Sequence, residues 1–397
     1  MLTPDEKKIV KATVPLLETG GEVLITYFYN KLLAEHAEVR PLFNQAHQAT
    51  GDQPRALANG VLMYAKHIDH LDELSELVTR IINKHVALQV QAEHYPIIGE
   101  CLLAAIEDVL GAETATPAVL KAWSAAYGQL AQMLIDAESK RYQANAALPG
   151  GWTSGRDFYL SRRETESSEI TSFYFKPVDF HPIIVAKPGQ YIGIKLFING
   201  EEHRRNYSLS KLSDGIEYRI SVKREKQGKV SNFLHDELKL GEVVQLFPPS
   251  GEFVLTAEAR PLVLLSAGVG ITPTLPMLSR ALEQHRQVLF IHCARNASVQ
   301  GFAREIADAA LCSTLLTTRV CYSEPLPEGQ FCDFVGHLGR PQLADWLAPL
   351  RAAKVYLLGP PLFMSAMRKI LLDIGIAPTD IHYEFFGPAR AIEGNDP

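Results

Sequence analysis

Apolar residues in the first 146 positions recur at spacings of three and four, the period of helices that bury one face. The clearest stretches are 22–36, 54–70, 74–90, 96–110 and 117–142. Breaks containing Pro or Gly separate them, at Arg40-Pro41, Thr50-Gly51-Asp52 and Gly111 to Pro117. The pattern changes after ALPGGWTSG (147–155), a linker with Pro149, Gly150, Gly151 and Gly155. Short runs follow, β-branched or aromatic and bounded by turn residues: RDFYLSRRETE, ITSFYFKPVD, QYIGIKLFI, NYSLSKL, EYRISVKRE and EVVQLFP. Their spacing predicts an antiparallel barrel or sandwich of about 100 residues. From Pro261 buried-looking strands (LVLLSAG, QVLFIHCA, STLLTTRVCYS, KVYLLGP) alternate with helical stretches at 273–285, 300–310, 340–350 and 361–374. That alternation predicts a parallel, doubly wound sheet. The expected organisation is multidomain: an all-α unit (1–146), a linker (147–154), an antiparallel β-barrel (155–259) and an α/β nucleotide-binding unit (260–397).

Length agrees, since 397 residues exceed a single core and fit two or three domains at roughly 150 residues each. Glycine is uneven, with 8 in residues 1–150 and 19 in 151–397, as a helical front and a turn-rich back require. A net charge of −6 favours neither nucleic acid nor an anionic membrane. No apolar run approaches the roughly 18 residues of a membrane span, and the charged start lacks the apolar region of a secretory signal. The five cysteines are an odd number without a CxxC pair, which argues against a disulfide framework or structural zinc. The cytoplasm is the expected location.

Chemistry first surfaces in the run LVLLSAGVGITPT (262–274), where a strand enters Gly268-Val269-Gly270-Ile271-Thr272-Pro273 and then a helix. Glycines let backbone approach a pyrophosphate, and a helix N-terminus offers it free N–H groups. Thr272 is placed to cap that helix and Pro273 suits its first turn. In Arg204-Arg205-Asn206-Tyr207-Ser208, an Arg suits a phosphate, a Tyr can stack on a ring and a Ser can bond its edge. Gly228-Lys229-Val230-Ser231-Asn232 is a further turn opening a helix, Gly359-Pro360 ends a late strand, and HYEFFGP (382–388) lies near the end.

In this order the motifs resemble the ferredoxin–NADP reductase family over about residues 152–390. The resemblance implies FAD on the barrel, contacted by Tyr191, the Arg205 to Ser208 strand and the Lys229-Val230-Ser231 turn, with Phe386 packing on the isoalloxazine. It implies NADH or NADPH on Gly268 to Pro273, with Gly359, Pro360, Phe385, Gly387 and Pro388 completing that site. Leu358 and Phe385 stand where the family often carries Cys. Arg295, beyond the strand 288–293, reads either as a contact to an NADPH 2′-phosphate or as an exposed loop residue.

The helical front needs a cofactor to receive electrons. It holds no iron–sulfur cysteine pattern and no ExxH of a di-iron bundle, which leaves a haem. His85 extends the apolar stripe of Leu74, Val78, Ile81 and Ile82. Such a His serves either as a hydrogen-bonded core residue or as a ligand, and pattern alone does not choose. Tyr29 shares a helix face with Ile25 and Leu32 or Leu33, Gln53 precedes Leu57 by one turn, and Pro41-Leu42-Phe43 makes an aromatic corner. Glu138 lies on the apolar side of its helix, 8 and 15 positions after Leu130 and Trp123.

Together these residues resemble a globin, and a globin joined to such a reductase resembles the flavohaemoglobin family over the whole chain. Lys84, Tyr95, Glu138 and the GGW of the linker match as well. The resemblance implies haem b with His85 as the iron ligand, Phe43 against the ring, Leu57 narrowing the distal space, and Tyr29 and Gln53 as donors to bound oxygen. It implies that Tyr95 and Glu138 hydrogen-bond near His85 and lend it imidazolate character. The activity implied is nitric oxide dioxygenase: NO becomes nitrate with O2 at a haem reduced by NAD(P)H through FAD. No nucleic acid, membrane segment or protein partner is called for, and a monomer is expected. Two other classes stay open: a haem-based O2 or NO sensor with an attached reductase, and an NADH diaphorase or ferric reductase.

Overall fold

The computed structural model describes residues 2–43, 52–326, 331–350, 352–384 and 386. Phe385, Gly387 and Pro388 lie outside the described residues, as do Thr50 and Gly51 of the second helix break.

The front of the chain is helical: α1 (Pro4–Ala12), α2 (Val14–Glu35), α3 (Asp52–Lys66), α4 (Ser75–Leu88), α5 (His94–Leu110) and α6 (Pro117–Ala147). The charged start forms α1, because Thr3 and Glu6 make a reciprocal capping box. α2 begins earlier than its apolar stripe, at Val14, with Pro15 in the first turn, where its missing N–H costs no bond. Thr116 caps α6 ahead of Pro117. Leu24, Ile25, Phe28 and Leu32 of α2 meet Leu102, Ala105 and Ile106 of α5, and Trp123 and Ala126 of α6, in one buried core.

The middle is an antiparallel sheet of β1 (Arg156–Thr165), β2 (Ile170–Pro177), β3 (Tyr191–Ile198), β4 (Glu201–Ser208), β5 (Tyr218–Lys223) and β6 (Val243–Leu246). Their order is β4-β3-β6-β1-β2-β5, and a bridge from Leu209 to Ile220 joins the two edges into a barrel. Phe158, Phe173, Phe175, Ile192, Ile194 and Leu246 fill it. β4 corrects the sequence expectation: it begins at Glu201, not near Asn206. Asn199 and Gly200, with φ of 54° and 79°, make a two-residue turn that pairs Ile198 with Glu201. Asn-Gly suits left-handed backbone at both positions, so the turn carries the polar run EEHR into the ladder. α7 (Lys229–Asp236) packs Val230 and Leu234 against the barrel core.

The last unit is a parallel sheet in the order β10-β9-β8-β7-β11-β12. It contains β7 (Leu262–Ala267), β8 (Val288–Ala294), β9 (Leu316–Tyr322), β10 (Phe334–Val335), β11 (Lys354–Leu358) and β12 (Ile381–Tyr383). The helices are α8 (Thr274–Glu283), α9 (Ala303–Cys312), α10 (Arg340–Leu347) and α11 (Pro361–Asp373). β10 and β12, of two and three residues, are too short to announce themselves by pattern. The connections reverse direction between β7 and β11, the switch point at which doubly wound sheets bind ligands. Among the described residues no helix is long and apolar enough to cross a membrane.

Candidate functional site

α4 ends at Gln89, a left-handed residue with φ of 59° that sends the chain toward α5. This turn brings His85, in the last turn of α4, next to Tyr95 at the start of α5. His85 Nδ1 lies 2.7 Å from Glu138 Oε1 and 3.2 Å from the Tyr95 oxygen. The Tyr95 hydroxyl donates to the same carboxylate oxygen at 2.7 Å. Glu138 projects from α6 and is 2 % exposed, and these two contacts satisfy its buried carboxylate oxygen. Burial and the neighbouring carboxylate push the Tyr95 phenol far up, so it stays a donor. The Tyr127 hydroxyl donates to the Tyr95 carbonyl at 2.6 Å and that of Tyr142 to the Val90 carbonyl at 2.7 Å, pinning the turn.

With the Nδ1 proton directed to Glu138, Nε2 keeps a lone pair, and no described residue bonds it. An imidazole held through one nitrogen by a carboxylate and open at the other is the donor arrangement that protein metal sites use. The surroundings are apolar and aromatic. Phe43 follows a 3-10 turn (Ala37–Leu42) and sets its ring edge-on to Tyr29, centroids 5.4 Å apart. Tyr29 is 4 % exposed, its hydroxyl meets no partner among the described residues, and burial raises its pKa. Leu57 packs into the same core, and Gln53, in the first turn of α3, is half-buried.

On the barrel, antiparallel pairing sets Tyr191 against Ser208, Ile192 against Tyr207, Gly193 against Asn206 and Ile194 against Arg205. The two arginines of the Arg204-Arg205 pair do different work. Arg204 donates to the Leu88 carbonyl at 2.6 Å and binds Glu202, tying the barrel to the end of α4. Arg205 has no acidic partner among the described residues, and burial lowers its pKa. A half-buried guanidinium lacking a carboxylate suits a phosphate. Lys229 pairs with Glu201 at 2.6 Å, Ser231 bonds the Gly228 carbonyl, and Val230 is core, so this turn offers mainly its backbone. Phe386 is 49 % exposed.

At the switch point Gly268 to Ile271 form a 3-10 turn whose Gly270 lies against Leu358 and Gly359. A Cβ on Gly270 would sit 2.5 Å from the Leu358 carbonyl oxygen, so only glycine allows the approach. Thr272 does not cap α8: its hydroxyl donates to the Val269 carbonyl at 3.0 Å, because the 3-10 turn moves the helix start to Thr274. Arg295 pairs with Glu169 across the barrel boundary and is exposed.

Sequence pattern missed a polar cluster between the units. Glu252, after the barrel, accepts from Asn83 at 3.3 Å and Arg141 at 2.9 Å. Close by, burial raises Glu384 to about 7, with Lys84 opposing and Glu252 assisting the shift, while burial lowers Lys84. These residues lie in three separate units, so no local periodicity marks them.

Residues 26–134 match the globin family and residues 157–255 the oxidoreductase FAD-binding domain family. A flavohemoprotein of Pseudomonas putida is 60% identical over 99% of this chain and 100% of its own. A flavohemoglobin of Malassezia yamatoensis, solved with bound FAD and heme, superposes with a TM-score of 0.85 at 28% identity, covering 97% of this chain and 100% of that one. The FAD/NAD binding domain of a Vibrio cholerae nitric oxide dioxygenase covers 59% of this chain and 99% of its own at 37% identity, with a TM-score of 0.55.

Proposed function

Because the chain belongs to the flavohaemoprotein family, we propose that it is an NAD(P)H-dependent nitric oxide dioxygenase, converting NO to nitrate with O2. The observation that carries this is the buried Glu138 carboxylate 2.7 Å from His85 Nδ1. When bound, the cofactors supply hydride as an electron pair, a flavin that divides the pair and an iron that accepts one electron at a time.

The chain's own residues do the rest. His85 Nε2 would hold the iron, and the Glu138 carboxylate, accepting from Nδ1, would make the ring a stronger donor. That push favours activating oxygen over storing it. The Tyr29 hydroxyl, unbonded among the described residues, would donate to a small ligand in the pocket, with Gln53 as a second donor. Phe43 and Leu57 wall the space and exclude larger ligands. Arg205, Tyr207 and Ser208 hold FAD beside Tyr191, with Asn206 on the same strand and Phe386 at the ring, and backbone of the Lys229-Val230-Ser231 turn assists. Gly268, Val269, Gly270, Ile271, Thr272 and Pro273, facing Gly359-Pro360, receive the dinucleotide. The name of the Vibrio cholerae relative agrees. The five free thiols suit a reducing compartment, and the proposal puts the chain in the cytoplasm, acting as a monomer.

The test is product stoichiometry. Holoenzyme given NADH, O2 and NO is expected to form one nitrate per NO consumed, and to stop when O2 is withdrawn. NO loss no faster than without enzyme contradicts the proposal.

A further inference from the structure

The helical unit holds a second set of donors, remote in sequence from His85. Glu35 is the last residue of α2, His36 follows it directly, and Cys101 sits in α5, which packs against α2. A carboxylate oxygen of Glu35, a ring nitrogen of His36 and the Cys101 sulfur all lie within 4.8 Å of one another. No other such trio of His, Cys, Asp or Glu occurs among the described residues. Against the expectation drawn from cysteine spacing, which marks only paired-cysteine zinc motifs, we propose that Glu35, His36 and Cys101 form a zinc site that clamps the end of α2 to α5, with water as the fourth ligand.

The donor types choose the metal class. Sulfur and imidazole reject calcium and magnesium, which take oxygen, while one sulfur, one nitrogen and one oxygen suit zinc. Zinc bonds of about 2.0–2.3 Å need ligands nearer than 4.8 Å. Glu35 is exposed and can swing in to close the difference, while Cys101, 3 % exposed, provides the fixed wall. An independent feature orients the imidazole: His36 Nδ1 lies 3.2 Å from Glu38 Oε1, a carboxylate–histidine contact of the kind that supports metal ligands. The carboxylates Glu35, Glu38, Glu100 and Asp108 cluster here and outnumber the neighbouring cations Lys31 and Arg40. Lys31 pairs with Glu35 at 3.2 Å and must let go when metal binds. Burial and the adjacent carboxylates keep the Cys101 thiol protonated, so binding Zn2+ replaces the S–H bond with Zn–S and releases that proton to solvent. The clamp would hold the start of the turn that leads to Phe43, on the helix that carries Tyr29.

The test uses chelator-stripped holoenzyme titrated with zinc chloride against a competing indicator. One equivalent is expected to bind, with X-ray absorption at the zinc edge giving one sulfur at about 2.3 Å. Cys101→Ser is expected to lose the sulfur signal, and His36→Gln, a change at the helix end that leaves the core untouched, to weaken binding at least tenfold. Lys31→Gln is expected to strengthen binding severalfold by freeing Glu35. Oxygen and nitrogen ligation alone in the wild-type protein, or wild-type affinity in His36→Gln, overturns the proposal even if Cys101→Ser fails to fold.

Discussion

At the scale of single residues, the account rests on what Glu138 and Tyr95 do to His85. Removing the carboxylate charge while keeping its shape, as Glu138→Gln, is expected to cost roughly 10–100-fold in NO consumption, the usual cost of losing a partner behind a metal ligand. Tyr95→Phe, which leaves Glu138 one donor, is expected to cost less. Comparable rates in both variants and wild type would show that the contacts only pack. On the other side of the site, Tyr29→Phe is expected to speed O2 dissociation roughly 10–100-fold, the worth of one hydrogen bond to a charged group; stopped-flow oxygen release measures this. Helical spacing marked His85, Tyr29 and Glu138 as inward positions, but it did not choose a role for His85 or bring Tyr95 and Glu138 to it; only the family resemblance implied that. Which nitrogen of His85 meets Glu138 was not legible, since it depends on how α4 and α6 approach.

Elements were legible where periodicity or turn chemistry is strong, and their boundaries were not. The three-part order of helices, antiparallel strands and parallel strands follows from the period of apolar positions alone. The start of β4 was hidden because Glu201 to Arg204 carry no apolar alternation; the Asn199-Gly200 turn was the signal that could have found it. Thr272 looked like a cap because its type suits one, yet the 3-10 turn before it takes its hydroxyl. The Gly270 contact sets the prediction at this scale. Gly270→Ala forces a Cβ to 2.5 Å from the Leu358 carbonyl, so the turns at the ends of β7 and β11 must separate. The expected result is a KM for NADH raised about tenfold or more, while the haem spectrum stays unchanged. An unaltered KM would remove the dinucleotide from this turn.

At the scale of the whole molecule, the units meet through polar contacts that no single stretch reveals: Arg204 to Leu88, Glu252 to Asn83 and Arg141, and Glu384 near Lys84. Glu384 makes this junction sensitive to pH. Its carboxyl, raised from 4.5 to about 7 by burial, holds a proton in the folded chain that the unfolded chain has already lost. Stability therefore falls as pH climbs from about 4.5 to about 7 and levels off above. Glu384→Gln, neutral throughout, is expected to raise the thermal midpoint at pH 8 and to narrow its difference from pH 5; calorimetry on both proteins checks this. An identical pH dependence in the two would show that Glu384 is hydrated.

In the proposed function, electrons entering at the reductase leave through an iron that His85 would hold. The most direct measurement compares two activities of His85→Ala, purified with FAD bound. The account predicts that NADH-driven reduction of ferricyanide persists near the wild-type rate while NADH-driven NO consumption falls at least a hundredfold. NO consumption at the wild-type rate in that variant would contradict it.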